Sequence, residues 1–184
     1  SPAEKSESEF DLKDQSDVRY VLSKDGVSIA HATVGNGNPL AFAGSWMTHL
    51  TKDWDSLNSV RPYLTDLSRT FRLIRYDHRG NGMSDWKSVV IEFERMVDDL
   101  ERVIDCYPYE KVAVYGPSQA ASVSIAYAIR RPEKVSHLIL YGGYARGRRQ
   151  RGDPNATAES EALVTLIRQG WGATNPAFRQ TMTS

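Results

Sequence analysis

The sequence of 184 residues predicts an α/β protein, with a mostly parallel sheet covered by helices on both faces. Three features carry that expectation. From Val18 onward, short strand-like runs alternate with amphipathic helix-like runs. The first two strands are joined by Lys24-Asp25-Gly26, a hairpin turn signal. Right-handed crossovers between the later strands then leave only a few doubly wound arrangements.

The elements follow in order. Residues 18–22 and 27–34 read as the two hairpin strands, and Gly35-Asn36-Gly37-Asn38-Pro39 is a second turn. Residues 40–43 form a short buried strand, 63–68 a short helix, and 71–76 (Phe-Arg-Leu-Ile-Arg-Tyr) the next strand. The clearest helix spans 89–105. Phe93, Met96, Val97, Leu100, Val103 and Ile104 share one face at helical spacing. Glu94, Asp98, Asp99, Glu101 and Arg102 lie opposite, and that side reads as solvated. Residues 111–115 form a strand that leads into a helix of small residues, 119–130, stopped at Pro132. Residues 135–141 are a further strand. A last helix over 156–169 carries Ala162, Leu163, Leu166 and Ile167 on one stripe and ends at Gly170.

Composition excludes several classes. Lys and Arg number 23, as do Asp and Glu, so no net charge draws the chain to nucleic acid or an anionic membrane. No apolar run approaches the roughly 20 residues of a membrane helix. The single cysteine, Cys106, excludes an internal disulfide and fits a cytoplasmic protein. Residues 1–17 are charged and Ser-rich, and read as a disordered tail or a linker. They lack the basic and apolar regions of a signal peptide. With no initiator Met, the chain reads as processed or as a piece of a longer one.

Chemistry in such sheets sits where strands run into helices. The strongest junction is Val112-Ala113-Val114-Tyr115-Gly116-Pro117-Ser118-Gln119-Ala120-Ala121. It matches the Gly-x-Ser-x-Gly nucleophile elbow except for Ala120 in place of the last glycine. A tight elbow thrusts the serine hydroxyl above the sheet, and the next backbone N–H, from Gln119, points at a developing oxyanion. The plainer reading is that Ser118 caps a helix. A second junction, Tyr76-Asp77-His78-Arg79-Gly80-Asn81-Gly82-Met83-Ser84, follows another strand. It is no dinucleotide fingerprint, because Asp85 stands where a small residue would open a helix.

Tyr-Asp-x-Arg-Gly-x-Gly-x-Ser, followed by the Ser118 elbow, resembles the α/β-hydrolase superfamily. Asp25-Gly26-Val27-Ser28-Ile29-Ala30, Ser84-Asp85-Trp86 and Leu140-Tyr141-Gly142-Gly143-Tyr144-Ala145-Arg146-Gly147 further resemble hydrolase-like domains attached to bacterial DNA-binding or nucleotide-cyclase modules. The resemblance covers about residues 18–183. It implies an α/β-hydrolase-type core over 18–145, with the last strands absent, and the start of a helical cap over 146–184. The Asp77–Arg79 loop becomes structural, with both side chains fixing it beside the elbow. The loop after strand 40–43 (Gly44-Ser45-Trp46-Met47-Thr48-His49) would supply the second oxyanion N–H, from Ser45 in preference to Trp46. Trp46, His49 and His78 are the expected substrate neighbours. Trp46 and Trp54 could line an apolar pocket, or could simply pack in the core.

The resemblance also implies the order serine, acid, histidine. No histidine follows His137, which precedes its strand at the wrong end. His31 lies in an early strand, and His49 is the least unsuitable substitute base. Asp153 and Glu159 follow the last strand but lie in a loop and a cap-like helix. The chain alone is therefore expected to be inactive. The strand at 135–141 becomes a bare sheet edge, to be completed by further polypeptide or by a second chain, such as another copy. The expected function is hydrolysis of an ester, lactone or amide through an acyl-enzyme on Ser118, with acid and base from outside this chain. The alternative is a non-catalytic sensor of a small molecule in a bacterial regulator, coupled to a DNA-binding or cyclase module. No metal or cofactor is implied. The basic run Arg146-Gly147-Arg148-Arg149-Gln150-Arg151 reads as a solvated loop, and the Asn155-Ala156-Thr157 sequon as unused in the cytoplasm.

Overall fold

The computed structural model describes residues 17–44, 48–55, 60–87 and 89–170. The chain divides into two units, Ser1–Gly143 and Tyr144–Ser184.

The first unit is built on six strands: β1 (Arg19–Leu22), β2 (Ser28–Val34), β3 (Asn38–Phe42), β4 (Phe71–Tyr76), β5 (Val112–Pro117) and β6 (Val135–Tyr141). Their order in the sheet is β1-β2-β4-β3-β5-β6. β1 pairs antiparallel with β2 and β2 antiparallel with β4, while β3–β4, β3–β5 and β5–β6 are parallel. The hairpin turn closes through Gly26, at φ 84°. Three helices belong to this unit: α1 (Val60–Thr70), α2 (Phe93–Asp105) and α3 (Ala120–Arg130).

Alternation along the strands builds two cores, one on each face. Ala41, Ile74 and Val114 pack with Val97 and Leu100 of α2 and Val123 of α3. Their neighbours in sequence, Leu40 and Leu73, pack on the opposite side with Val34, Leu64 of α1 and Trp54. Trp54 thus packs in the core. β5 has a parallel partner on each side. β6 pairs only with β5 among the described residues, and Leu138, Ile139 and Leu140 are 38–44% exposed.

The structure corrects two local expectations. Helix α2 begins at Phe93, so the apolar residues Val89, Val90 and Ile91 lie before it. Its acidic side is not solvated. Asp99 is fully buried, and Asp98 and Glu101 are 9% exposed. The partners come from distant segments that a helical wheel cannot show. Arg79 donates from Nε and Nη2 to both Asp99 oxygens, each at 2.7 Å, and from Nη1 and Nη2 to Asp25 at 2.7 and 3.1 Å. Nη1 also donates to the Val90 carbonyl and Nη2 to Ser23 Oγ. Arg79 therefore ties the β1–β2 turn to α2 instead of reaching the elbow. Outside this knot, Lys24, Arg130 and Arg131 hold Asp98 and Glu101 at 2.7–3.2 Å.

The second unit contains a 3₁₀ turn, Arg148–Gln150, and helix α4, Ala156–Gly170. Asp153 starts α4 by accepting the Asn155 N–H on its side chain and the Ala156 N–H on its carbonyl. Arg151 lies 4.8 Å from the Tyr144 ring centroid and donates to the Arg146 carbonyl. No described helix is long and apolar enough to cross a membrane.

Two expectations follow. Replacing Asp99 by Asn leaves the buried Arg79 guanidinium without its full counter-charge, and urea unfolding should show a loss of about 3 kcal/mol or more. The Arg79 bonds hold the Asp25 carboxyl down to about 2. Glu101 is raised by burial but brought down to about 2 by its bonds to Lys24 and Arg131. A lowered folded-state value stabilises above the ordinary carboxylate range and is lost as pH falls toward the folded value. Stability should therefore decline between about pH 4 and 2, and more gently in Asp25→Asn and Glu101→Gln variants, as urea midpoints across that range would show.

Candidate active site

Three strand ends form the candidate site: β3, β4 and β5. Side by side in one sheet, β3 and β5 are held in register at their carboxyl ends by the Ala43 N–H, which donates to the Tyr115 carbonyl at 2.9 Å. Beyond that point β5 turns sharply into α3.

Ser118 occupies the turn. It is the one described non-glycine residue with a positive φ, at 50°. Left-handed backbone costs an L-residue roughly 1–2 kcal/mol, so tertiary contacts must impose it. They are visible. The Ser118 N–H donates to the Tyr141 carbonyl of β6 at 2.8 Å, and its own carbonyl accepts the Ala121 N–H at 3.2 Å. Strand and helix also approach closely at Gly116, where a Cβ would lie 2.4 Å from Ser124 Oγ and 2.9 Å from the Ala120 carbonyl. Only glycine fits there. Ala120 takes the position where the elbow usually has glycine and is accommodated, buried at 1% exposure. The result is an exposed Ser118 above a half-buried Gln119. Gln119 has helical angles, φ −58° and ψ −36°. Its N–H lies at the start of α3, where the first amides have no intrahelical acceptor and the helix dipole favours negative charge.

The other expected residues separate. Ser45 and Trp46 lie outside the described residues. His49 turns its Nδ1 onto the backbone, within 3.3 and 3.4 Å of the Lys52 and Thr51 N–H groups, and so caps the 3₁₀ turn Lys52–Asp55. That Nδ1 accepts, so the proton sits on Nε2, which suits a donor and not a base. His78 is buried at 3% exposure, with Nε2 bonded to the Gly44 carbonyl. Expected as a substrate neighbour, it meets the backbone just after β3. His31 is bonded to the Tyr107 hydroxyl at 2.7 Å, and His137 is exposed on β6. Among the described residues, no histidine is hydrogen-bonded to the Ser118 hydroxyl. Nor do three His, Cys, Asp or Glu side chains among them gather to hold a metal ion.

Asp77, expected to fix its own loop, also reaches residues that follow β3, where Arg75 joins it as a brace not expected from the sequence. Asp77 Oδ2 accepts the Leu50 N–H at 3.1 Å and the Met83 N–H at 2.9 Å. Arg75, buried in β4, donates to the Leu50 carbonyl and to Asp53 at 2.5 Å, with Trp54 beneath its guanidinium. An arginine on the inward face of a strand was the available signal, since buried charge requires a partner.

A sequence model of the alpha/beta hydrolase fold family matches residues 41–182. The chain belongs to this family. It is 27% identical to the AB hydrolase superfamily protein YisY of Bacillus subtilis over 128 residues, 68% of this chain and 45% of that protein. It is 31% identical over 125 residues to the 2-hydroxy-6-oxo-2,4-heptadienoate hydrolase of Pseudomonas putida, 67% of this chain and 44% of that one. The chain thus spans less than half the length of these two curated relatives. An esterase from Exiguobacterium antarcticum superposes with a TM-score of 0.67 at 23% identity, covering 82% of this chain and 56% of the esterase.

The strain at Ser118 is directly measurable. Ser118→Gly should raise the urea midpoint, by about 1 kcal/mol of stability, because glycine adopts φ 50° freely. Ser118→Ala keeps the Cβ and should leave the midpoint unchanged.

Proposed function

We propose that this chain carries the nucleophile half of a serine hydrolase that acts on an ester, lactone or amide. The observation that carries this reading is the strained, exposed Ser118 at the end of an interior parallel strand. Strain at a non-glycine corner is retained where function needs the side chain presented. In the reaction, Ser118 Oγ bonds to the substrate carbonyl carbon and its proton passes to a base. The oxyanion lies against the Gln119 N–H at the α3 N-terminus. Collapse expels the leaving alcohol or amine, which takes up the proton. Water then releases the acid from the acyl-enzyme and restores the serine. The acid and base are assigned to polypeptide outside this chain. The family match and the likeness to named hydrolases support hydrolysis as the class of reaction.

A second reading is a binding domain that holds a small molecule without turnover, within a bacterial regulator that also has a DNA-binding or cyclase module. It is favoured by the engagement of His31, His49 and His78 with partners other than Ser118. A fluorophosphonate separates the two. In the full-length protein, Oγ–P bond formation with loss of fluoride should label the parent and not Ser118→Ala. Saturable ligand binding with no labelling would favour the second reading.

A further inference from the structure

The group that holds the Ser118 N–H lies at the least supported end of the sheet. The Tyr141 carbonyl accepts that N–H at 2.8 Å. Tyr141 is the last residue of β6, which pairs only with β5 among the described residues, and it is 72% exposed. A strand end bonded along one edge and open to solvent is locally weak, so another contact must fix where it lies.

The two residues after Tyr141 supply that contact. Gly142 turns the chain at φ 60°, in the left-handed region, with open space where a side chain would stand. Gly143 then meets α3: a Cβ there would lie 2.5 Å from the Ala121 Cβ. Neither atom would be the end of a flexible side chain, so such a clash could be relieved only by moving backbone. Helix α3 is not the part that yields. It approaches β5 closely at Gly116 and is buried through Ala120, Ala121, Val123 and Ser124. The end of β6 yields, and it carries the Tyr141 carbonyl with it. Left-handed backbone costs a serine about as much as one neutral hydrogen bond returns, so loss of this bond frees Ser118 to relax.

We infer that Gly143 is a positioning residue: its missing Cβ lets the chain leaving β6 close on Ala121, which keeps the Tyr141 carbonyl on the Ser118 N–H and the hydroxyl presented above the sheet. This inference rests on the serine-hydrolase reading and adds to it a residue that acts through Tyr141 and not through the substrate.

Two measurements on the full-length protein test it. The first is amide hydrogen exchange. Gly143→Ala should quicken exchange of the Ser118 N–H about 10-fold. The Ala43 N–H, bonded to the Tyr115 carbonyl on the other edge of β5, should keep its parent rate. The second is fluorophosphonate labelling against reagent concentration. Gly143→Ala should lower the maximal rate about 10- to 100-fold with the half-saturating concentration unchanged. In an Ala121→Gly background, where the opposing Cβ is gone, the same substitution should cost no more than about threefold. Should Gly143→Ala fail to fold, Ala121→Val, which crowds the same contact from the helix side, is read by the same exchange and labelling rates. Equal loss in both backgrounds, unchanged Ser118 exchange, or a crowded variant that labels as fast as the parent would overturn the inference while leaving Ser118 as nucleophile. A parent with no Ser118-dependent labelling would overturn the serine-hydrolase reading and this inference with it.

Discussion

The bend at Ser118 is the constraint around which the first unit is organised. A serine at φ 50° is unstable alone and must be held by its neighbours. Three groups hold it: the Tyr141 carbonyl on one side, the first turn of α3 on the other, and the close approach at Gly116 beneath. Each needs β5 to be interior. With β3 and β6 hydrogen-bonded along both edges, β5 cannot shift to relax the corner. The strain is thereby converted into an exposed hydroxyl at a defined point above the sheet.

The loop after β4 supports the same arrangement at longer range. Its backbone continues along β2: the Asp85 N–H donates to the Ser28 carbonyl, and the Ser28 N–H returns to the Asp85 carboxylate. From that base, three successive residues reach in different directions. Asp77 braces Leu50 and Met83, His78 braces Gly44, and Arg79 joins the β1–β2 turn to α2. A buried guanidinium between two carboxylates is favourable only when its N–H groups are satisfied, and Arg79 finds acceptors on Asp25, Asp99, Ser23 and Val90. One short motif thus links the opening hairpin, the helix behind the sheet and the loop after β3.

Strand and helix positions were largely legible because burial imposes periodicity. The strands at 71–76 and 135–141 have the bounds read from their apolar runs. The helix behind the elbow differs by one residue. The start of α2 was missed because Val89, Val90 and Ile91 continue its apolar composition without joining its hydrogen-bond ladder. The acidic face of α2 was misread for a related reason. A helical wheel separates polar from apolar, but says nothing about whether a distant arginine will cover the polar side.

By itself, the sequence determined the α/β layering, the strand-to-helix corner and the serine on it, since these depend on neighbours within a few residues. Tertiary structure decided how the charged and imidazole side chains are used. It took Asp99 inside with Arg79, turned His49 into a cap and His78 into a brace, and sent Trp54 to the core. Those outcomes depend on contacts such as Arg79–Asp99 and His78–Gly44, 20 and 34 positions apart, or on the burial of a local turn, and such contacts leave no local pattern to read.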